Sequence, residues 1–113
     1  MPLRRLDLSK TKIRDLAPVR SFALEMLNLR ATRVKDLNPL RDMPLKWLDI
    51  GETAVRDLAP IQNLPIEEIW LDYNINQQML ANTYKAFTAV LLRMPRLQKV
   101  NGNFNFRERR GRK

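Results

Sequence analysis

The feature that most constrains this chain is a segment that returns every 21 residues. The stretch LDLSKTKIRDLAPV begins at Leu6, LNLRATRVKDLNPL begins at Leu27, and LDIGETAVRDLAPI begins at Leu48. A period of about 20 to 50 residues indicates a repeat architecture, in which each unit buries its apolar side against its neighbours.

Alignment by this period places residues of one type in the same column. The strand columns are Leu3, Leu24, Leu45 and Ile66; Leu6, Leu27, Leu48 and Ile69; and Leu8, Leu29, Ile50 and Leu71. The following columns are Thr11, Thr32, Thr53 and Asn74; Ile13, Val34 and Val55; Asp15, Asp36 and Asp57; and Pro18, Pro39 and Pro60. The LxxLxL spacing predicts a short strand with alternate residues inward, paired in parallel with the equivalent strand of the next unit.

The remaining columns predict how each unit leaves its strand and turns back. A small inward hydroxyl in the Thr column is expected to satisfy backbone groups at the bend after the strand. In Asp-Leu-x-Pro, Asp is a favourable N-cap and Pro is tolerated in the first helical turn. About five residues separate each proline from the next unit, so the outer element is expected to be a single 3₁₀ turn.

The full pattern L-x-x-L-x-L-x-x-T-x-I/V-x-D-L-x-P-L resembles the leucine-rich-repeat family. Its short outer segments are most similar to the compact subclass of the bacterial internalins and of the regulatory subunit of nuclear protein phosphatase. The resemblance implies an α/β fold, a right-handed β-3₁₀ solenoid with a parallel sheet on its concave face. It also implies a protein-binding role, since most members of the family are interaction modules.

The repeat breaks after IWLDYN, and residues 76–94 predict a longer helix that ends at Pro95. Its apolar stripe consists of Met79, Leu80, Tyr84, Phe87, Val90, Leu91 and Met94. Such a stripe favours core packing over a ligand pocket. The segment LQKVNG predicts a last strand, and the run from Tyr84 resembles the C-terminal cap of this family. We therefore expect four repeats in residues 1–75, a cap in residues 76–106 and a disordered basic tail in residues 107–113.

Composition excludes several classes of function. The chain has no cysteine and no histidine, which removes disulfides, cysteine nucleophiles, histidine-based triads and zinc sites with these ligands. Neither a signal peptide nor an apolar run of about 18 residues is present, so a cytoplasmic location without a membrane partner is the default expectation. The net charge of +9 favours an acidic partner.

The candidate binding residues are those expected to point away from the core on the sheet. Both tryptophans of the chain, Trp47 and Trp70, occupy such positions on neighbouring strands, with Met26 beside Trp47. Arg5, Arg30, Asp49, Glu68 and Asp72 surround them, and Tyr73 lies near the rim. Exposed Trp, Met and Arg among charges are typical of a protein-binding hot spot. The alternative is an aromatic ladder that only stiffens the sheet.

A second candidate lies on the outer side, where Arg14, Lys35 and Arg56 form one column. With Arg109 and Arg110 of the tail they provide charge for nucleic acid or another polyanion. No aromatic residues are interleaved with this column and no nucleic-acid motif is present. In the alternative interpretation, each cation pairs with the neighbouring carboxylate of Asp15, Asp36 or Asp57.

Catalysis is the least supported class of function. Asp7 and Asp49 lie two strands apart, or about 9.6 Å at the usual strand spacing, which is near the upper limit for an inverting glycosidase pair. Neither an activated nucleophile nor a perturbed base accompanies them, so we expect no enzyme, cofactor or metal. The first repeat already begins at Leu3 without a cap. Either the chain is the C-terminal part of a longer protein, or residues 4–8 form an open edge that favours self-association.

Overall fold

The computed structural model describes residues 3–71 and 89–100. Five strands form a single parallel sheet in which they follow one another in chain order. They are β1 (Arg5–Asp7), β2 (Met26–Asn28), β3 (Trp47–Asp49), β4 (Glu68–Trp70) and β5 (Lys99–Val100). The predicted parallel sheet is therefore confirmed.

The register of the sheet follows the period of the sequence. Leu6 pairs with Leu27, Leu27 with Leu48 and Leu48 with Ile69, so each step is 21 residues long. The last step, from Ile69 to Val100, spans 31 residues (100 − 69). Equivalent residues of successive units thus lie side by side across the first four strands.

One apolar core joins the sheet to the connections behind it. Leu27, Leu48 and Ile69 at the strand centres are fully buried, and they share a cluster with the turn residues Leu37 and Leu58. The inward residues of the strands and the apolar residues of the connections therefore share one core. The opposite face of the sheet is left for the side chains that alternate with them.

The outer connections contain the predicted 3₁₀ turns, at Ala17–Val19, Asn38–Leu40 and Ala59–Ile61. The capping position needs a correction, because Leu16, Leu37 and Leu58 precede these turns and the aspartates lie one residue earlier. The carboxylates still act on the turns. Oδ1 of Asp15, Asp36 and Asp57 accepts the N–H of Ala17, Asn38 and Ala59, each at 2.9 Å.

The threonine column has the predicted role at the bend that follows each strand. The hydroxyls of Thr11, Thr32 and Thr53 donate to the carbonyl oxygens of Leu8, Leu29 and Ile50, each at 2.7 Å. The same bend forces a left-handed backbone. Lys10, Ala31 and Glu52, again 21 residues apart, have φ of 61°, 60° and 55°.

The second described segment begins with an α-helical stretch at residues 89–93, which ends before Pro95 as expected. Leu91 and Met94 are buried in the common core with Leu97 and Val100, so this part of the apolar stripe packs in the core. Residues 76–88 of the expected helix, and the tail at residues 107–113, lie outside the described residues. Within the described ranges, no helix has the length and apolarity needed to cross a membrane.

Candidate functional site

The face of the sheet opposite the core, here the open face, carries two rows of side chains. The first row crosses the starts of the strands and contains Arg5, Met26, Trp47, Glu68 and Lys99. The second row crosses the ends of the first four strands and contains Asp7, Asn28, Asp49 and Trp70. The register therefore brings Met26 and both tryptophans onto one surface, as predicted.

The apolar residues of the open face are partly exposed. Met26, Trp47 and Trp70 are all half-buried, whereas the inward neighbours Leu27 and Leu48 are 0% exposed. Met26 lies directly opposite Trp47 on the adjacent strand. Because Trp47 pairs with Glu68 and Trp70 pairs with Asp49, the tryptophans are diagonal neighbours across β3 and β4.

Glu68 connects the two tryptophans. Its backbone position is directly opposite Trp47, and its Oε2 accepts a 2.6 Å hydrogen bond from Nε1 of Trp70. This bond satisfies the indole N–H and orients the ring. The ring face of Trp70 is thereby held on the open face by a residue of its own strand.

A shallow depression lies at the start of β3, β4 and β5. It has a volume of about 290 Å³, and its walls are formed by Lys46, Trp47, Glu67, Glu68, Gln98 and Lys99. Main-chain hydrogen bonds join the three strands at this place. The carbonyl of Lys46 accepts the N–H of Glu67 at 2.8 Å, and that of Glu67 accepts the N–H of Gln98 at 2.8 Å. Trp47 is the aromatic side chain that borders this space.

The polar residues of the second row are occupied by the backbone. Oδ1 of Asp7, Asn28 and Asp49 accepts the N–H of the residue two positions later, at 2.9, 3.0 and 2.9 Å. These are Asx turns, which stabilise the bend at the end of each strand. At Asp7, hydrogen bonds from the side chain and backbone of Ser9 lower the pKa of the carboxyl group below 3.8.

Asp49 has a role different from that of an exposed charge. The residue is 6% exposed, and its Oδ2 accepts a hydrogen bond from Nε of Arg30 at 2.9 Å. Glu52 accepts a second bond from the same guanidinium at 3.3 Å. The bond to Asp49 is the main cause that raises the pKa of Arg30, and burial opposes it.

Arg30 covers the position of Gly51. A side chain at Gly51 would collide with the guanidinium group of Arg30, so the glycine provides the space in which this group lies. The side chain of Arg30 remains 34% exposed above its two carboxylates. Arg30 is therefore fixed on the open face, and Asp49 positions it from below.

Of the other proposed binding residues, some are placed by the structure and some lie outside the described residues. Arg5 is exposed at the start of the edge strand β1. Asp72 and Tyr73 follow Leu71 in the sequence but lie outside the described residues, as do Arg109 and Arg110 of the tail. Sequence reasoning missed Lys46, Glu67 and Gln98. A signal was present, because Arg4, Glu25, Lys46 and Glu67 form a column that is charged in all four units.

The outer basic column consists of exposed side chains. Arg14, Lys35 and Arg56 are all exposed. Among the residues that the structure describes, none of the three forms an ion pair. The neighbouring aspartates instead bind backbone N–H groups. The expected pairing of each cation with the adjacent carboxylate is therefore not observed.

Within residues 3–71 and 89–100, no group of three or more acidic side chains is arranged to hold a metal ion. Both oxygens of Asp49 already accept hydrogen bonds from Gly51 and Arg30. The carboxylate is thus committed to the local structure.

Comparison with known proteins assigns no family. No family model matches the chain, and no curated protein gives a significant match. Function must therefore be inferred from the surface itself.

Proposed function

We propose that this chain is a non-catalytic module that binds a protein partner on the open face. The observation that carries the proposal is the partial exposure of Met26, Trp47 and Trp70 on one surface. Large apolar side chains that stay in contact with water cost stability that burial against a partner would recover. Tryptophan and methionine are also the residue types enriched at the centre of protein interfaces.

We further propose the finer architecture in which this face is concave. The chain would form a right-handed leucine-rich-repeat solenoid, with four repeats in residues 1–75 and a helical cap in residues 76–106. Support comes from the 21-residue register, the single 3₁₀ turn in each connection and the threonine at each bend. Solenoids with such connections present their strands on an inner surface.

The depression beside Trp47 suggests how the partner would be anchored. An apolar side chain of the partner would enter it and pack on the indole ring, while Lys46, Glu67 and Glu68 at its border would select the charges around that side chain. Arg30 would donate from the far side of the face, since Asp49 fixes its guanidinium. Arg5, Asp72 and Tyr73 would extend the contact at the margins.

The test is capture of partners from the source lysate on the immobilised chain, with nuclease and at low and high salt. We expect a specific protein that survives nuclease and high salt and is lost from the Trp47→Ala, Trp70→Ala variant. The matched control is Arg14→Ala, Lys35→Ala, Arg56→Ala, which changes exposed residues of the outer side. Circular dichroism of each variant confirms that the fold is retained, and Met26→Ala provides a milder variant of the same face.

A second candidate function is binding of nucleic acid or another polyanion through the outer basic column. It is favoured by the three exposed cations that lack ion pairs among the described residues. Phosphate contacts of this kind weaken steeply with salt. In the same capture experiment, nucleic acid that vanishes at high salt, depends on Arg14, Lys35 and Arg56 and ignores the tryptophans would replace the first proposal.

A further inference from the structure

The edge strand β1 has one row of backbone groups that no described residue uses. Leu8 N–H donates to Asn28 and Lys10 N–H donates to Arg30, each at 2.8 Å, while the carbonyl of Arg4 accepts from Met26 at 3.0 Å. Even-numbered residues therefore face β2. By the alternation of a strand, the backbone groups of Arg5 and Asp7 point away from the sheet.

The same end of the molecule exposes apolar side chains of the core columns. Among the described residues, the exposed large hydrophobics are Leu3 at 43% and Phe22 at 41%. Phe22 is equivalent to Met43, which is 4% exposed, and Leu3 is equivalent to Leu24, which is fully buried. The equivalents are covered because a further layer lies on each side of them. Among the described residues, no further layer covers Leu3 and Phe22 on the β1 side.

The charges on β1 favour a second copy of the same strand as its pairing partner. Arg5 and Asp7 lie two residues apart on one side of β1. If a second β1 runs antiparallel with Leu6 opposite Leu6, then Arg5 of each copy lies opposite Asp7 of the other. Both residues expose their backbone groups, so each Arg5–Asp7 pair is also a hydrogen-bonded pair. If the pairing shifts by two residues in either direction, Arg5 lies opposite Arg5 or Asp7 lies opposite Asp7. Such pairs of like charges are unfavourable.

We propose that two copies of this chain associate through antiparallel pairing of β1 in this register. The interface is isologous and closes as a two-fold dimer, which joins both sheets into one and covers Leu3 and Phe22 of each copy. The proposal is independent of the partner-binding function of the open face.

The register is tested by cysteine crosslinking, since the natural chain contains no cysteine. Directly opposed residues of a non-hydrogen-bonded antiparallel pair have Cα atoms about 4.5 Å apart, within the range of a disulfide. Leu6→Cys should therefore form a covalent dimer under mild oxidation. Leu8→Cys is the control, because its two copies would lie about four residues apart along the strands, or about 13 Å.

Self-association is measured on the full chain by sedimentation across a range of concentrations. We expect a monomer–dimer equilibrium that Arg5→Asp weakens by about tenfold or more, because both ion pairs become repulsions. Arg14→Asp makes the same charge change on the outer side and should leave the equilibrium unchanged. A chain that stays monomeric, or a dimer that Leu8→Cys crosslinks as readily as Leu6→Cys, would overturn the proposal.

Discussion

Several polar residues on the open face of the sheet stabilise the local backbone, although their position suggests a role in binding. Asp7, Asn28 and Asp49 occupy the open face, yet each side chain accepts a backbone N–H two residues later. Charge patterning led us to expect Asp49 at a protein interface, whereas its chemistry is that of a turn. An Asx residue at the same place in three successive units was the available signal for this role.

The left-handed residues at the bends are a local weakness that a substitution can remove. Lys10 is exposed and has φ of 61°, a conformation that costs a residue with a Cβ about 1 kcal/mol. Lys10→Gly should therefore be more stable to chemical denaturation than Lys10→Ala, which removes the same side chain but keeps the Cβ. Equal stability of the two variants would contradict the strained backbone.

The Asx turn at Asp7 predicts a pH dependence. Its folded pKa is lowered from 3.8 by Ser9, so its stabilising effect is present above that value and is lost as the pH falls below it. Asp7→Asn keeps the acceptor, as Asn28 does naturally, but cannot titrate. In dilute protein, unfolding of the variant should therefore depend less on pH between about 5 and about 2 than that of the natural chain. If the free energy of unfolding of the two proteins changes with pH in the same way, the Asx turn does not stabilise the ionised form of Asp7.

At the scale of elements, the sequence predicts the sheet well because its inward columns repeat without exception. The register, the 3₁₀ turns and the threonine bonds follow from residue type and spacing alone. The depression beside Trp47 was not predictable in this way, since it arises where β5 joins after a 31-residue step from Ile69 to Val100 that has no repeat. Gln98 and Lys99, at the end of that step, form part of its wall.

The threonine column offers a test of the bend as an element. Thr32 is 5% exposed and its hydroxyl bonds the carbonyl of Leu29, whereas Thr11 makes the same bond at an exposed site. Thr32→Val should lower the free energy of unfolding by about 1–3 kcal/mol, because a buried acceptor loses its donor. Thr11→Val should cost under about 0.5 kcal/mol, because water replaces the hydroxyl. An equal decrease in the free energy of unfolding in both variants would show that burial does not determine how much this hydrogen bond stabilises the fold.

At the scale of the whole molecule, the same repeat separates surfaces with different properties. The open face carries half-exposed tryptophans. Among the described residues, the cations of the outer side have no ion-pair partner, and the outward backbone groups of β1 have no partner and lie beside exposed Leu3 and Phe22. A partner on the open face and a second copy at β1 would share Arg5, whereas a polyanion on the outer side would use separate residues. This division makes each interaction testable with its own variants.

The most direct test of the proposed function is fluorine NMR of the chain labelled with 5-fluorotryptophan, with the captured partner added unlabelled. Trp47 and Trp70 are the two tryptophans of the sequence, so both resonances report on the open face alone. We expect both to shift or broaden on saturation with partner, and the Arg14→Ala, Lys35→Ala, Arg56→Ala variant to respond equally. If the partner saturates the chain while both resonances keep their position and width, the open face is not the binding site.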